Sequence, residues 1–242
     1  MKQEYAKKLI EKNRQAYDLI SQDFDRTRSY LWEGLKPFSK YAKNGDAVLD
    51  FGCGNGRLLN LFAGKNVSYI GIDASDGLIN AAKKKFSGNL PEGINGVEFL
   101  KVDSLKLPFK DGSFDSVYSI AALHHIPTEK MRLELLSEFQ RTLKPEGKMV
   151  LTNWNLWQKN YRNLILKYAI KKFFGQSGMD LKDVIVPWKD QKGVVMAERY
   201  YHAFTKSELK RIVKRSGSDI LEIGYFGGKN NNANIYIIAK KC

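Results

Sequence analysis

Val48-Leu49-Asp50-Phe51-Gly52-Cys53-Gly54-Asn55-Gly56 is the stretch on which the reading of this chain turns. Ala47 to Phe51 reads as a buried strand that ends abruptly in three glycines at alternate positions. Glycines so spaced let the backbone turn sharply and approach a ligand with no Cβ in the way. A helix is expected from about Arg57, carrying Leu58, Leu59, Leu61 and Phe62. Its N-terminus would offer unpaired N–H groups to an electronegative ligand group. The spacing is Gly-x-Gly-x-Gly, without the two-residue gap of the dinucleotide fingerprint. Asp50, just before the turn, would repel a pyrophosphate and suits an ammonium or a ribose hydroxyl. The bland alternative is a glycine turn with no ligand.

Downstream, Val67 to Ile72 reads as a second strand ending at Asp73, 17 residues past Gly56. An open α/β sheet places there the carboxylate that grips a ribose's hydroxyls. Ser75 is a competent cap for the helix that follows, which frees Asp73 from that duty. That helix carries Leu78, Ile79, Ala82 and Phe86, with Lys83, Lys84 and Lys85 on a solvated face. A third strand, Val97 to Asp103, closes on another acid, and Asp103-Ser104-Leu105 is expected to meet an adenine's amine and ring face. Ser113 to Ile120 is the fourth strand, followed by Ala121-Ala122-Leu123-His124-His125-Ile126-Pro127, which holds two of the three histidines. His124 is a candidate for substrate contact or acid–base work. His125 reads equally as packed on the next helix, Thr128 to Leu143. Lys148 to Trp154 is the fifth strand. Ligands in such sheets sit at the carboxyl ends of the strands.

Composition narrows the partners. Lys plus Arg number 40 against 26 Asp plus Glu, a net charge of +14, which points to a polyanionic partner. The two cysteines, Cys53 and Cys242, form neither a disulfide framework nor a zinc spacing, and no metal site is expected. No apolar run approaches the roughly 20 residues of a membrane span. Met1-Lys2-Gln3-Glu4 lacks the apolar core of a signal peptide, so a reducing cytoplasm is expected.

The flanks are expected to cover the sheet. Residues 1 to about 43 read as helical, with a polar break from Ser21 to Asp25. That break either joins two covering helices or forms a flap bearing Arg26 and Arg28. Asn160 to Phe174 is a basic amphipathic helix, with Leu164, Ile165, Tyr168, Ala169 and Phe173 inward. Its lysines face water, track phosphates or lie on a membrane surface. Gln176 to Gly193, broken by Gly178 and Pro187, reads as a mobile insertion. Glu198 to Phe204 is dense in aromatic and basic groups and leads into a helix, Thr205 to Ser216, whose Thr205 and Glu208 match a capping box. Two last strands, near Ile220 to Phe226 and Asn234 to Ala239, are expected to pair as an antiparallel hairpin. The divisions are thus a helical cap (1–44), a core (45–154), an insertion (155–204) and a closing helix and hairpin (205–242).

With its flanks, Asp50 to Gly56 resembles the first motif of class I S-adenosylmethionine-dependent methyltransferases, and the order of elements over about 45–154 agrees. That resemblance implies an α/β Rossmann-like fold, a seven-stranded mostly parallel sheet with helices on both faces. It implies S-adenosyl-L-methionine as cofactor, held by Asp50, Gly52, Gly54, Gly56, Asp73, Ala74, Asp103, Ser104, Leu105 and Ile120. A narrower likeness rests on Tyr17-Asp18-x-Ile20-x-x-x-Phe24-x-x-Thr27-Arg28-x-x-x-Trp32, His124-His125, Val186-Pro187-Trp188 and Arg199-Tyr200-Tyr201-His202. These are similar to the tRNA wobble-uridine carboxymethyl methyltransferases, which esterify a 5-carboxymethyl group on the first anticodon uridine. The likeness implies Arg28, His124, Arg199, Tyr200 and His202 on the substrate side. It also implies the tRNA anticodon loop as partner and, as in eukaryotic members, a small zinc-binding activator subunit. Two other readings stay open: a small-molecule or lipid methyltransferase on the same core, and a non-catalytic cofactor-binding protein that interacts with RNA.

Overall fold

The computed structural model describes residues 1–242. Ala47–Phe51 forms β1, as its run of apolar residues requires, and Val67–Asp73 forms β2 beside it, parallel. Ile94–Lys101 (β3), Phe114–Ile120 (β4) and Leu143–Trp154 (β5) complete the parallel set. Ser218–Phe226 (β8) and Asn234–Lys241 (β9) form the closing hairpin, and β9 lies antiparallel to β5. The sheet order is β3-β2-β1-β4-β5-β9-β8, so the strand order reverses between β1 and β4. That reversal opens the crevice in which such sheets bind ligands.

Apolar layers cover both faces. On one, Asp76–Phe86 (α3) buries Ile79, Ala82 and Phe86 with Leu35 and Phe38 against Val48, Tyr69 and Tyr118. On the other, Glu129–Thr142 (α4) and Lys206–Arg215 (α6) bury Leu135, Phe139, Leu209 and Ile212 on Leu49, Val117 and Leu151. Full burial of each such side chain is worth roughly 1.5–3 kcal/mol. Ser75 caps α3 and Thr128 caps α4, each accepting a backbone N–H three residues on at 3.2 Å.

Four expectations give way. The helix after the glycines is a six-residue 3-10 turn, Arg57–Phe62; Leu58, Leu59, Leu61 and Phe62 all bury together, so no amphipathic face remains to extend it. The N-terminal region is Gln3–Leu19 (α1), Ser21–Thr27 (α2) and a 3-10 helix, Glu33–Tyr41, with a non-helical link through Trp32. The stretch read as a broken insertion contains a strand, Asp183–Lys189 (β6), which pairs antiparallel with Val195–His202 (β7) in a separate two-stranded sheet. Val184, Val186 and Trp188 are buried at alternate positions, which is the strand signal that Pro187 hid. β6 is an edge strand of this sheet, where a missing N–H is tolerated. Lys159–Phe173 (α5) packs on this sheet through Ile165, Leu164 and Tyr168, while Phe173, expected inward, is 85% exposed. No helix is long and apolar enough to cross a membrane.

Gly52 shows how tightly the turn is built. Its φ is +72°, and an added Cβ would stand 2.5 Å from the Ala122 Cβ. Backbone strain and overpacking each cost about 1–3 kcal/mol. Gly52→Ala is therefore expected to destabilise the fold by about 2–4 kcal/mol, read as a fall in the urea midpoint.

Candidate active site

The glycine turn is stapled across the end of β2. Gly52 and Cys53 both donate their N–H to the Ile72 carbonyl, at 2.8 and 3.0 Å. The Asp73 carboxylate accepts the Gly54 N–H and the Ser75 N–H, each at 2.9 Å. Each oxygen accepts one of these bonds and keeps further acceptor capacity, and Asp73 and Ala74 line the cavity. Burial raises the Asp73 pKa, against the hydrogen bonds of Ser75, Gly54 and Ala74.

Asp50, 1% exposed, accepts the Tyr69 hydroxyl at 2.5 Å with one oxygen, and its other oxygen has no partner. Burial pushes this carboxyl up to about 7. Arg57 lines the same cavity with an unpartnered Nη1, and burial, then the charge of Arg28, holds it down to about 10. An orphaned acid and an orphaned guanidinium nitrogen on one wall match a zwitterionic amino-acid head group, and Asp73 matches a ribose. Gly52, Gly54 and Ile120 line this cavity; Gly56 stands behind it, where the Phe99 ring lies 2.8 Å from any added Cβ.

Asp103, Ser104 and Leu105, expected to meet an adenine, do not line this cavity. β3 ends at Lys101, Asp103 and Ser104 are exposed, and Leu105 packs on the core. Val102, whose N–H donates to the Asp73 carbonyl at 2.9 Å, lines the cavity instead. The reason is local: the chain leaves the edge strand early to reach the Leu107 anchor, whose N–H donates to Glu138.

The N-terminal helices roof the cavity. Asn55, fully buried in the glycine turn, donates to the Asp25 carboxylate at 2.7 Å and to the Arg28 carbonyl at 3.1 Å. Phe24 lies beside Gly54, 3.5 Å from where its Cβ would be. Asp18 accepts from Ser75 Oγ at 2.6 Å and from the Gly77 N–H at 3.1 Å. The segment expected to be either linker or flap is thus tied to the cofactor-side turn, with Arg28 facing the cavity.

Arg199 also faces the cavity, with 4% of its surface exposed and no carboxylate partner. Its guanidinium lies 4.9 Å from the Trp188 ring, 5.3 Å from Tyr201 and 5.6 Å from Tyr17, and its Nε is unpartnered. Arg28 covers the Trp188 ring at 5.1 Å. Trp188 is fixed by donating its indole N–H to Asp23 at 2.7 Å. Aromatic faces therefore hold these cations without neutralising them. Beside them His124, Tyr201 and Trp154 stack in one wall, at 4.8 and 5.3 Å between neighbouring rings.

Strand alternation separates the other candidates. Arg199 and Tyr201 point into the cavity; Tyr200 and His202 point away from it. His202 is bonded at both ring nitrogens, to Asp183 at 2.6 Å and to Glu208 at 2.8 Å. That use of Glu208 leaves only half of the expected capping box, the Thr205 hydroxyl accepting the Glu208 N–H. The Tyr200 hydroxyl meets Arg132 at 3.4 Å. Both therefore brace β7 from behind, outside the cavity lining. Conversely Tyr17, Trp188 and Tyr201, quoted for the narrower likeness but not among its substrate-side candidates, line the site, as does Arg57. Period-two reading of residues 195–202 as a strand was the signal available for Tyr201.

Neither histidine is poised as a base. His125 Nδ1 donates to the Tyr200 carbonyl at 2.8 Å, so Nε2 is the acceptor of the Tyr17 hydroxyl, also at 2.8 Å. Burial pushes His125 down to about 3 and, with the charges of His125 and Arg199, pushes His124 well below its ordinary range. The cavity combines unneutralised arginines, neutral histidines and an aromatic wall, a set suited to binding and aligning an anion.

The fold and this cavity define a Rossmann-like methyltransferase domain, and residues 49–151 match the family described as a methyltransferase domain. The tRNA (carboxymethyluridine(34)-5-O)-methyltransferase of Schizosaccharomyces pombe is 33% identical over 94% of this chain and 95% of its own length. The chain belongs to this methyltransferase family. A SAM-dependent methyltransferase of known structure from Methanosarcina mazei aligns with TM-score 0.71 and 26% identity, over 88% of this chain and 98% of that one. A chain from the Haloferax volcanii complex between the Trm112 methyltransferase activator and a methyltransferase shares the fold, with TM-score 0.66 and 15% identity over 94% and 96% of the two chains.

The neutral state of His125 has a measurable consequence. Folded, it stays unprotonated down to about pH 3; unfolded, it takes a proton near ~6.5. The unfolded chain binds the extra proton, so this contribution to stability is present above pH ~6.5 and is lost as the pH falls. His125→Gln should therefore flatten the decline of the urea midpoint between about pH 6.5 and 4 relative to the unsubstituted protein.

Proposed function

We propose that this chain transfers a methyl group from S-adenosyl-L-methionine to the carboxylate of a 5-carboxymethyluridine-type wobble base in tRNA, forming an ester. The observation that carries the reading is Arg199: a buried guanidinium in an aromatic cage with no carboxylate partner. A desolvated charge without a counterion is costly. An anionic acceptor supplies that counterion.

The cofactor's fit rests on Asp73 for the ribose hydroxyls, Asp50 for the ammonium and Arg57 for the carboxylate of its amino-acid part. When bound, it supplies an electrophilic methyl group. The protein's own contribution is alignment and exclusion of water. An acceptor carboxylate titrates near ~4 and is already ionised at neutral pH, so the absence of a poised base is no defect. Arg199 and Arg28 orient one carboxylate oxygen and leave the other free to react. The stacked wall of His124, Tyr201 and Trp154 matches the flat face of an unstacked base. Holding two reactants in line is worth up to ~7–11 kcal/mol in favourable cases. The excess of basic residues suits tRNA, and we extend the reading to the anticodon loop, a small activator subunit like that of the Haloferax complex, and a cytoplasmic setting in which both cysteines stay free.

One observation favours a second reading. The cavity lies under the N-terminal helices and is lined mainly by hydrophobic residues, as a small-molecule methyltransferase would require. Salt separates the two, because tRNA contacts release counterions and turnover on tRNA falls steeply as salt rises.

The direct test is transfer of labelled methyl to bulk tRNA carrying the acceptor, followed by mild base, with activator supplied in one arm. Label released by base identifies an ester; label that resists base discards the carboxylate acceptor. Asp73→Ala is expected to lose cofactor binding in calorimetry. Arg28→Ala and Arg199→Gln should keep it and lower kcat/KM on tRNA roughly a hundredfold, about 3 kcal/mol for a charge-assisted contact. Full activity in Arg199→Gln would remove the basis of the reading.

A further inference from the structure

The second edge of β7 is closed by a side chain. β6 pairs along one edge of β7. On the other, the Tyr200 N–H donates to Asn13 Oδ1 at 2.6 Å, and Asn13 Nδ2 donates to the Tyr200 carbonyl at 3.1 Å. The carboxamide of Asn13 thus presents an acceptor and a donor to one residue's backbone, as a neighbouring strand would. Asn13 is 6% exposed, so water cannot replace these bonds. The same carbonyl also receives His125 Nδ1.

Position along α1 gives this bond its reach. Tyr17 lies one helical turn beyond Asn13, on the same face. Its hydroxyl donates to His125 Nε2 at 2.8 Å and accepts from the Arg199 guanidinium at 3.4 Å. A closed circuit results: Asn13 to the Tyr200 backbone, that backbone to His125, His125 to Tyr17, and Tyr17 back along α1. Arg199 and Tyr201, the two cavity-facing residues of β7, flank the backbone group that Asn13 grips. Arg199 has no ion pair to hold it, so its place depends on where this backbone lies.

We propose that Asn13 is a positioning residue for the acceptor. It sets β7 against α1 through both bonds of its amide to the Tyr200 backbone and thereby places Arg199 and Tyr201. This rests on the carboxylate-acceptor reading given above. Removing the carboxamide leaves a buried N–H without a partner and frees β7 to shift. The cofactor wall, built on β1 and β2, stays intact.

The test compares Asn13→Ala with the unsubstituted protein by hydrogen exchange, cofactor calorimetry and methyl transfer to carboxymethyluridine-bearing tRNA. Expected are exchange at residues 199–202 at least about tenfold faster, and a tRNA KM raised about tenfold with kcat changed less. Cofactor affinity should stay within about twofold. Unchanged exchange in β7, an unchanged KM, or cofactor affinity falling as far as tRNA affinity would each overturn the proposal. Should Asn13→Ala fail to fold, Asn13→Asp serves the same comparison. It keeps the acceptor for the Tyr200 N–H but sets a carboxylate oxygen against the Tyr200 carbonyl. If the unsubstituted protein transfers no methyl to that tRNA, the functional reading fails, and exchange still decides whether Asn13 holds β7.

Discussion

The glycine turn pinned across the end of β2 is the constraint on which the rest of the site depends. Two of its N–H groups share the Ile72 carbonyl and a third reaches Asp73, so the first two strands end as one rigid edge. Asn55, inside that turn, then holds Asp25 and the Arg28 backbone. The roof over the cavity is therefore hung from the same residues that form its floor. Gly52, Gly54 and Gly56 all have positive φ, and Ala122, Phe24 and Phe99 press on the spaces their missing side chains leave. The glycines serve close packing as much as access to a ligand.

Charge in the cavity is arranged in two zones. Near the turn, Asp50 and Asp73 are carboxylates raised by burial, with Arg57 beside them. Farther along, Arg28 and Arg199 are cations held by ring faces. A zwitterionic head group and a ribose suit the first zone, and an anionic acceptor suits the second. The histidines between them are neutral, because burial without a carboxylate neighbour penalises the imidazolium. His202 meets carboxylates at both nitrogens, and it stands behind β7. Two histidines that line the cavity and a third that braces β7 thus do different work.

Much of the core was legible from sequence. β1 runs from Ala47 to Phe51 as the apolar run requires, β2 ends at Asp73, and Ser75 caps α3. The closing pair, β8 and β9, is antiparallel as expected. These are local signals: apolar runs, glycine punctuation and caps act within a few residues. The differences have separate causes. Asp103 follows the pattern of Asp50 and Asp73 in the sequence, but β3 ends at Lys101 and Val102 rather than Asp103 lines the cavity. Pro187 concealed β6 because proline argues against a central strand but is tolerated in an edge strand. Phe173 was placed inward by helical spacing, yet α5 packs through Ile165, Leu164 and Tyr168, and the helix ends beyond the surface they cover.

By itself the sequence determined that a parallel α/β sheet forms, that its first turn can admit a ligand, and that acids stand at the strand ends. These follow from backbone freedom and side-chain polarity over short spans, which need no knowledge of distant residues. Tertiary structure alone decided which face of β7 lines the cavity, dividing Arg199 and Tyr201 from Tyr200 and His202. It also decided that Arg199 has no counterion and that Asn13 closes an edge 187 residues away in sequence. Such properties depend on what approaches a group in space, because burial and the choice of hydrogen-bond partner are set by packing between remote segments.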